Sequence, residues 1–253
     1  MTKRRKILLF SVLLSASVYQ AGWARINLLE PWFPGQDTKI AEETSSQFIA
    51  SFISGDELWE LPLQYSIVPG PKYEIGARWS LKSVAGRAGI SDILLGAKFK
   101  LMDETSSKPS IIGETALSLP SGDYTRGLGT GGIGLLLNWA LEKKLRRYTG
   151  YLGLGIQLNT ENPDRVQQGN TFFYHFGASW PYRELFRLHA EFKGFMHSPL
   201  KAQGVSVGST VQEFYLAPGL NYKLDARHTL SCSVLIGMTP ESDRLGLIAS
   251  INF

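Results

Sequence analysis

The chain has 253 residues but one cysteine, Cys232, and four histidines. A single thiol cannot close an internal disulfide, and no Cys/His group stands at metal-ligand spacing, so neither a covalent staple nor a metal is expected. Past the first 24 residues no apolar run approaches the ~20 residues that a membrane-spanning helix needs. No amphipathic helix competes with the pattern of these later segments. An excess of one charge is also missing. The chain carries 26 Lys+Arg against 22 Asp+Glu. Lys3, Arg4, Arg5 and Lys6 all fall in the first 24 residues, which hold no acid, so the remainder has 22 of each sign and a formal charge of zero. The basic pI therefore belongs to the leading segment, and no nucleic-acid partner is expected.

That leading segment predicts a secretory signal peptide over 1–24. A basic stretch is followed by the apolar run Ile7–Val18 and by Gly22-Trp23-Ala24, which sets small residues where a signal peptidase reads. Cleavage is expected before Arg25. Residues 25–46, with Pro31, Pro34 and Gly35, show no strong period and read as an N-terminal tail, either a plug or a periplasmic segment. An exported chain without disulfides, held by its own hydrogen bonds, fits a Gram-negative envelope.

From residue 47 to 253 a period of two recurs. Ile93, Leu95, Ala97, Phe99 and Leu101 alternate with Asp92, Leu94, Gly96, Lys98 and Lys100, and Phe172, Tyr174 and Phe176 alternate with Thr171, Phe173 and His175. One apolar face and one polar face describe a half-buried strand. The apolar face belongs to the core of a soluble sandwich or to the lipid side of a membrane barrel, and one strand pair cannot choose. The connections can. Short ones (68–72, 102–109, 142–147, 181–185, 224–228) alternate with longer ones (83–89, 120–131, 160–170, 198–209), as outer-membrane barrels require. Aromatics on the apolar face gather near segment ends, Tyr73, Tyr148 and Phe186 at one end and Trp79 and Phe172 at the other, as two membrane interfaces ask. The pattern predicts an all-β antiparallel transmembrane β-barrel of about 12 strands in the outer membrane, surrounded by lipid. Pro218 interrupts one strand, where a bulge is expected.

Three stretches carry a family likeness: Gly89-Ile90-Ser91-Asp92-Ile93-Leu94-Leu95-Gly96-Ala97-Lys98-Phe99, Leu119-Pro120-Ser121-Gly122-Asp123 and Gly127-Leu128-Gly129-Thr130-Gly131. Together they resemble the outer-membrane transporter family named for the MetA pathway of phenol degradation. The resemblance covers the central third by motif and the rest by barrel pattern. It implies an exported barrel with a role in uptake of small, often aromatic or hydrophobic compounds. It also implies that the terminal Phe253 is an assembly signal read by the barrel-assembly machinery.

The polar faces place Glu74, Arg78, Asp92, Lys98, Glu114, Arg187, His189, Glu191, Lys193 and Glu213 in the lumen, as a path for a small-molecule solute. Mixed charges suit a narrow pore and a lumen filled by ion pairs equally well. Inward Leu136, Tyr151, Phe173, Phe195 and Ile248 add an apolar patch. The Gly-rich loop 120–131 lacks the Lys-Ser/Thr pair and helix of a phosphate loop. Its Asp123, Tyr124 and Arg126 instead read as a gate folded over the mouth. A filled or surface-binding barrel, using loops 160–170 and 198–209, is the alternative. An outer-membrane lipid-modifying enzyme is a minor one, because no histidine pairs with an outward serine in the pattern. No catalytic residue, cofactor or metal is expected.

Overall fold

A computed structural model describes residues 45–252 apart from 55–57, 85, 226–227 and 244. The signal peptide, most of the N-terminal tail and Phe253 lie outside the described residues. In chain order the strands are β1 (Ser45–Ser54), β2 (Leu58–Gly70), β3 (Tyr73–Val84), β4 (Arg87–Ile90), β5 (Ile93–Met102) and β6 (Ser110–Leu119). There follow β7 (Gly134–Leu145), β8 (Tyr148–Asn159), β9 (Val166–Gln167), β10 (Thr171–Arg183) and β11 (Phe186–His197). The last are β12 (Leu200–Ala202), β13 (Val205–Val207), β14 (Val211–Lys223), β15 (Thr229–Gly237) and β16 (Leu245–Asn252).

Twelve of these walls close into one antiparallel barrel, with β4 and β5 as two halves of a single wall broken at Ser91–Asp92. Each barrel strand pairs with the next barrel strand in the chain, β8 with β10 and β11 with β14 among them, and β1 pairs with β16, Phe48 opposite Ile251 and Phe52 opposite Leu247. Closure leaves no edge strand, and in hydrocarbon an unpaired backbone edge has no water to bond. This is an outer-membrane β-barrel.

The period of two becomes an inside and an outside. Along β8, Leu152, Leu154 and Leu158 are exposed while Tyr151, Gly153, Gly155, Gln157 and Asn159 are buried. The exposed face is the lipid face, which explains why so many large apolar side chains, Ile75, Leu95, Leu117 and Ile236 among them, lie on the surface. Tyr73, Tyr148 and Phe186 open strands at the short-turn end and Phe172 opens β10 at the loop end. The aromatics are not confined to two rims, however. Phe176 stacks on Phe192 at 5.1 Å and Phe192 on Phe214 at 5.9 Å, a ladder across β10, β11 and β14 made by directly opposed and diagonal positions.

Pro218 departs from expectation. The pairing of β14 with β15 keeps one register on either side of it, Leu216 with Ile236 and Gly219 with Ser233, and merely skips the two pairs between. A bond is lost without a bulge. Register shifts fall elsewhere, between Ile67 and Gly70, between Lys100 and Met102, and, beside another proline, between Pro181 and Arg183. At the short-turn end, β7 and β8 are joined by Arg146–Arg147 alone, and Arg146 takes a left-handed φ of 56°. At the other end, loop 198–209 is not irregular throughout. Gln203 and Gly204, with φ of 52° and 80°, make the two-residue turn of the β12–β13 hairpin, and β9 adds to it as a three-stranded sheet outside the barrel.

Leu95 lies within β5 on the exposed face. Leu95→Arg is expected to lower stability by ~2–4 kcal/mol in denaturant titrations of the vesicle-folded barrel, the range for a cation near the bilayer midplane. Near-wild-type stability would contradict the lipid-facing assignment. Cys232, flanked in register by Leu220 and Ala249 on the same wall, is expected to react slowly with a membrane-impermeant thiol reagent.

Candidate functional site

The inward positions of β3, β5, β6 and β7 bring charges opposite one another. Glu74 pairs in register with Lys98, Lys98 with Glu114 and Glu114 with Asn138. Asn138 donates from Nδ2 to Glu114 Oε2 at 3.2 Å. All four are buried. Glu60 and Lys82 form a second opposed pair nearer the loop end. Alternating sign around the wall is what allows the charges to stay there, since an isolated buried charge is costly.

A second cluster sits on β8, β10 and β11. Glu191 Oε1 lies 3.1 Å from His175 Nδ1 and 3.3 Å from Lys193 Nζ, while Tyr151 Oη donates to Glu191 Oε2 at 3.3 Å. Gly153 leaves the position beside His175 empty, and a Cβ there would run into the imidazole. His189 approaches Ser233 Oγ at 2.8 Å, but its Nδ1 has no hydrogen-bond partner among the described residues. This Ser–His pair is buried and lacks the orienting acid of a catalytic relay. Glu213 accepts from Tyr215 Oη at 2.9 Å. Arg187, by contrast, is only half-buried, near the short-turn end of β11.

Interleaved with these polar groups is a buried apolar cluster, Ile49, Ala116, Leu136, Phe173, Phe195, Tyr215, Ala217, Leu235 and Ile248. Phe173 and Phe195 lie 6.5 Å apart, and Tyr215 meets Phe195 edge-on at 6.2 Å. Gly155 makes room for the Phe173 ring opposite it. The described interior is therefore no wide aqueous channel: inward side chains from Glu191 to Phe173 are almost wholly withdrawn from solvent.

Asp92 does not join the ladder of charges. It sits in the break between β4 and β5 and ties down the mouth loop. Oδ1 accepts from the Gly122 amide at 3.0 Å, and Oδ2 accepts from the Thr130 amide at 2.7 Å and from Thr130 Oγ1 at 2.8 Å. Gly122 and Gly129 pack backbone to backbone, where any Cβ would collide. Leu128, buried, closes over Gly89, which shares the inward face with Lys82. Three separate sequence stretches thus form one knot at the mouth.

The residues expected to form the gate lie in this same loop. Asp123 is exposed and caps the short turn Tyr124–Arg126, accepting from Thr125, and that bond holds its carboxyl below the usual range. Arg126 is exposed and reaches the Ala88 carbonyl. Tyr124 packs on Gly131 of its own loop, and Asn162 of the neighbouring loop approaches the same glycine. Burial there, then the Asp164 carboxylate, push the Tyr124 phenol above the ordinary tyrosine value. The contacts that turn inward come from Leu128 and Thr130. A leucine among glycines, at the one apolar position of a polar loop, was the signal available for it.

The chain matches, over residues 46–252, the family described as "Putative MetA-pathway of phenol degradation". Its fold is similar to that of an outer membrane channel from Pseudomonas putida F1, at 13% identity, 87% of this chain and 98% of that one, with a TM-score of 0.71. It is similar also to the NanC porin (8% identity, 82% and 97% covered, TM-score 0.56) and the KdgM porin (10%, 83% and 98%, 0.53). No curated protein matches it in sequence.

Asp92→Ala would strand the Gly122 and Thr130 amides, while Thr130 Oγ1 keeps the Gly132 carbonyl as acceptor, and a loss on the order of 3 kcal/mol is expected in thermal or denaturant melts. The loop should open as well, so trypsin should cut after Arg126 far faster in the variant than in the folded wild type. Equal cutting rates would show that Asp92 does not hold the loop.

Proposed function

This chain belongs to the MetA-pathway of phenol degradation family, and from that membership we propose a non-enzymatic outer-membrane channel that passes small solutes through a narrow, mixed-charge interior. The observation that carries the reading is the inward row Glu74, Lys98, Glu114 and Asn138. Apolar side chains of similar volume fill an interior at least as stably as ion pairs do. Charges held there give a passing solute polar partners, while the cluster of Phe173, Phe195 and Leu136 accepts an apolar or aromatic body. The knotted loop restricts the mouth, which limits the solute to a small one. In this arrangement the short turns face the periplasm and the loops face outward. Similar barrels include porins, and the KdgM porin has been solved in complex with disordered oligogalacturonate.

Planar-bilayer recordings test this. The wild type is expected to show small, discrete conductance steps, and deletion of 122–129 or Asp92→Ala to enlarge them. Glu114→Gln should move selectivity away from cations without lowering the melting temperature, because Lys98 keeps Glu74 as its partner. Silent bilayers in all variants would overturn the channel reading and leave a filled or surface-binding barrel.

A further inference from the structure

The short-turn end of the barrel carries an arc of cations with no ion-pair partner among the described residues. Arg146 and Arg147 form the β7–β8 turn, Arg183 ends β10, and Lys223 ends β14. All four are exposed, and none has a carboxylate within ion-pair distance among the described residues. Most of the nearby acids are engaged. Asp103 pairs with Lys100 at 2.7 Å, Glu104 pairs with Lys143 and accepts from the Lys144 amide, and Asp225 holds His228. Glu184, exposed after Arg183, is the one described acid set among the four cations. The loop end differs: exposed Asp123, Glu161, Asp164 and Glu241 stand against exposed Arg87, Arg126, Arg165 and Lys201. One rim is balanced and the other is basic.

Each cation of the arc is flanked by exposed apolar or aromatic side chains on the same turn. Leu145 and Tyr148 bracket Arg146–Arg147, at 57% exposure each, and Tyr182 at 63% precedes Arg183, whose guanidinium lies 5.6 Å from its ring. Phe186, stacked on Tyr222 at 4.6 Å, begins the next strand. Tyrosines and stacked aromatics mark the headgroup level of a bilayer, and basic side chains there reach anionic headgroups. The arc is continuous, because β7, β8, β10, β11 and β14 are successive neighbours in the wall.

We propose that this arc, Arg146, Arg147, Arg183 and Lys223, is a binding surface for the phosphate groups of anionic phospholipids in the leaflet at the short-turn end. A guanidinium offers a phosphate two parallel donors, and the two-residue β7–β8 and β10–β11 turns hold the three arginines at headgroup depth with little chain freedom, while Lys223 ends its strand at the same rim. The leucine and tyrosine neighbours anchor the turns among the acyl chain tops.

The test uses the folded full chain in mixed vesicles of equal phosphatidylglycerol and phosphatidylcholine, with retained lipid counted by native mass spectrometry. The wild type is expected to retain phosphatidylglycerol preferentially, and the preference should fall as sodium chloride is raised. A variant with Arg146→Asn, Arg147→Gln, Arg183→Gln and Lys223→Gln should lose at least about tenfold of that preference. Asn is chosen at 146 because it tolerates the left-handed backbone there. A loop-end control, Arg165→Asn with Lys201→Gln, should keep it. The salt series on the wild type decides independently should the quadruple variant fail to fold. An equal preference in quadruple variant and wild type, a salt-independent preference, or loss in the control would overturn the proposal. So would a wild type without preference, as a surface meant for an acidic protein would behave, or displacement by inorganic phosphate well beyond chloride at matched ionic strength, as a free-anion site would show.

Discussion

Every backbone N–H and C=O inside a bilayer must find a partner in the protein, because the hydrocarbon supplies none. The rest of this structure follows from that requirement. Antiparallel strands satisfy it only when the first strand meets the last, so β1 and β16 pair and the sheet has no edge. Once the ring is closed, the pleat sends alternate residues to lipid and to lumen. Polar side chains then have one place to go. The exceptions to regular pairing are small and local: the skipped pairs at Pro218 and the register shifts between Ile67 and Gly70, Lys100 and Met102, and Pro181 and Arg183.

Confining the polar residues creates a second problem, which the interior solves by alternation. Glu74, Lys98 and Glu114 follow one another around the wall with signs reversed, and Glu191 stands between His175 and Lys193. Each charge is compensated by neighbours on adjacent strands, so register and electrostatics support each other. A slip of one residue would send these groups into lipid and the leucines into the lumen. Glycines of β8 complete the arrangement by yielding space to His175 and Phe173.

The two ends are built by opposite means. At the loop end one carboxylate, Asp92, gathers three donors and sets a glycine-rich loop against the barrel mouth, with the charges there balanced. At the other end three of the connections shrink to two residues, and exposed cations stand beside aromatic and leucine side chains.

The all-β class, the facing of nearly every strand and the alternation of short and long connections were legible in the sequence, because a period of two is a local property that any pleated strand must obey. The inward sets containing Glu114, Glu191 and Lys193 followed from the same period. What the sequence left open depends on which distant residues meet. Asp92 reads as one more inward charge until the break at Ser91–Asp92 turns it toward Gly122 and Thr130, roughly thirty and forty positions away. Leu128 reads as a loop residue until Gly89 makes room for it. The β12–β13 hairpin hides in a stretch too short for a period to show, and the partners of Glu191 are set by strands that pair only in the folded barrel. Alternation along the chain determined the wall; closure of the wall decided its contacts, because only closure fixes who stands opposite whom.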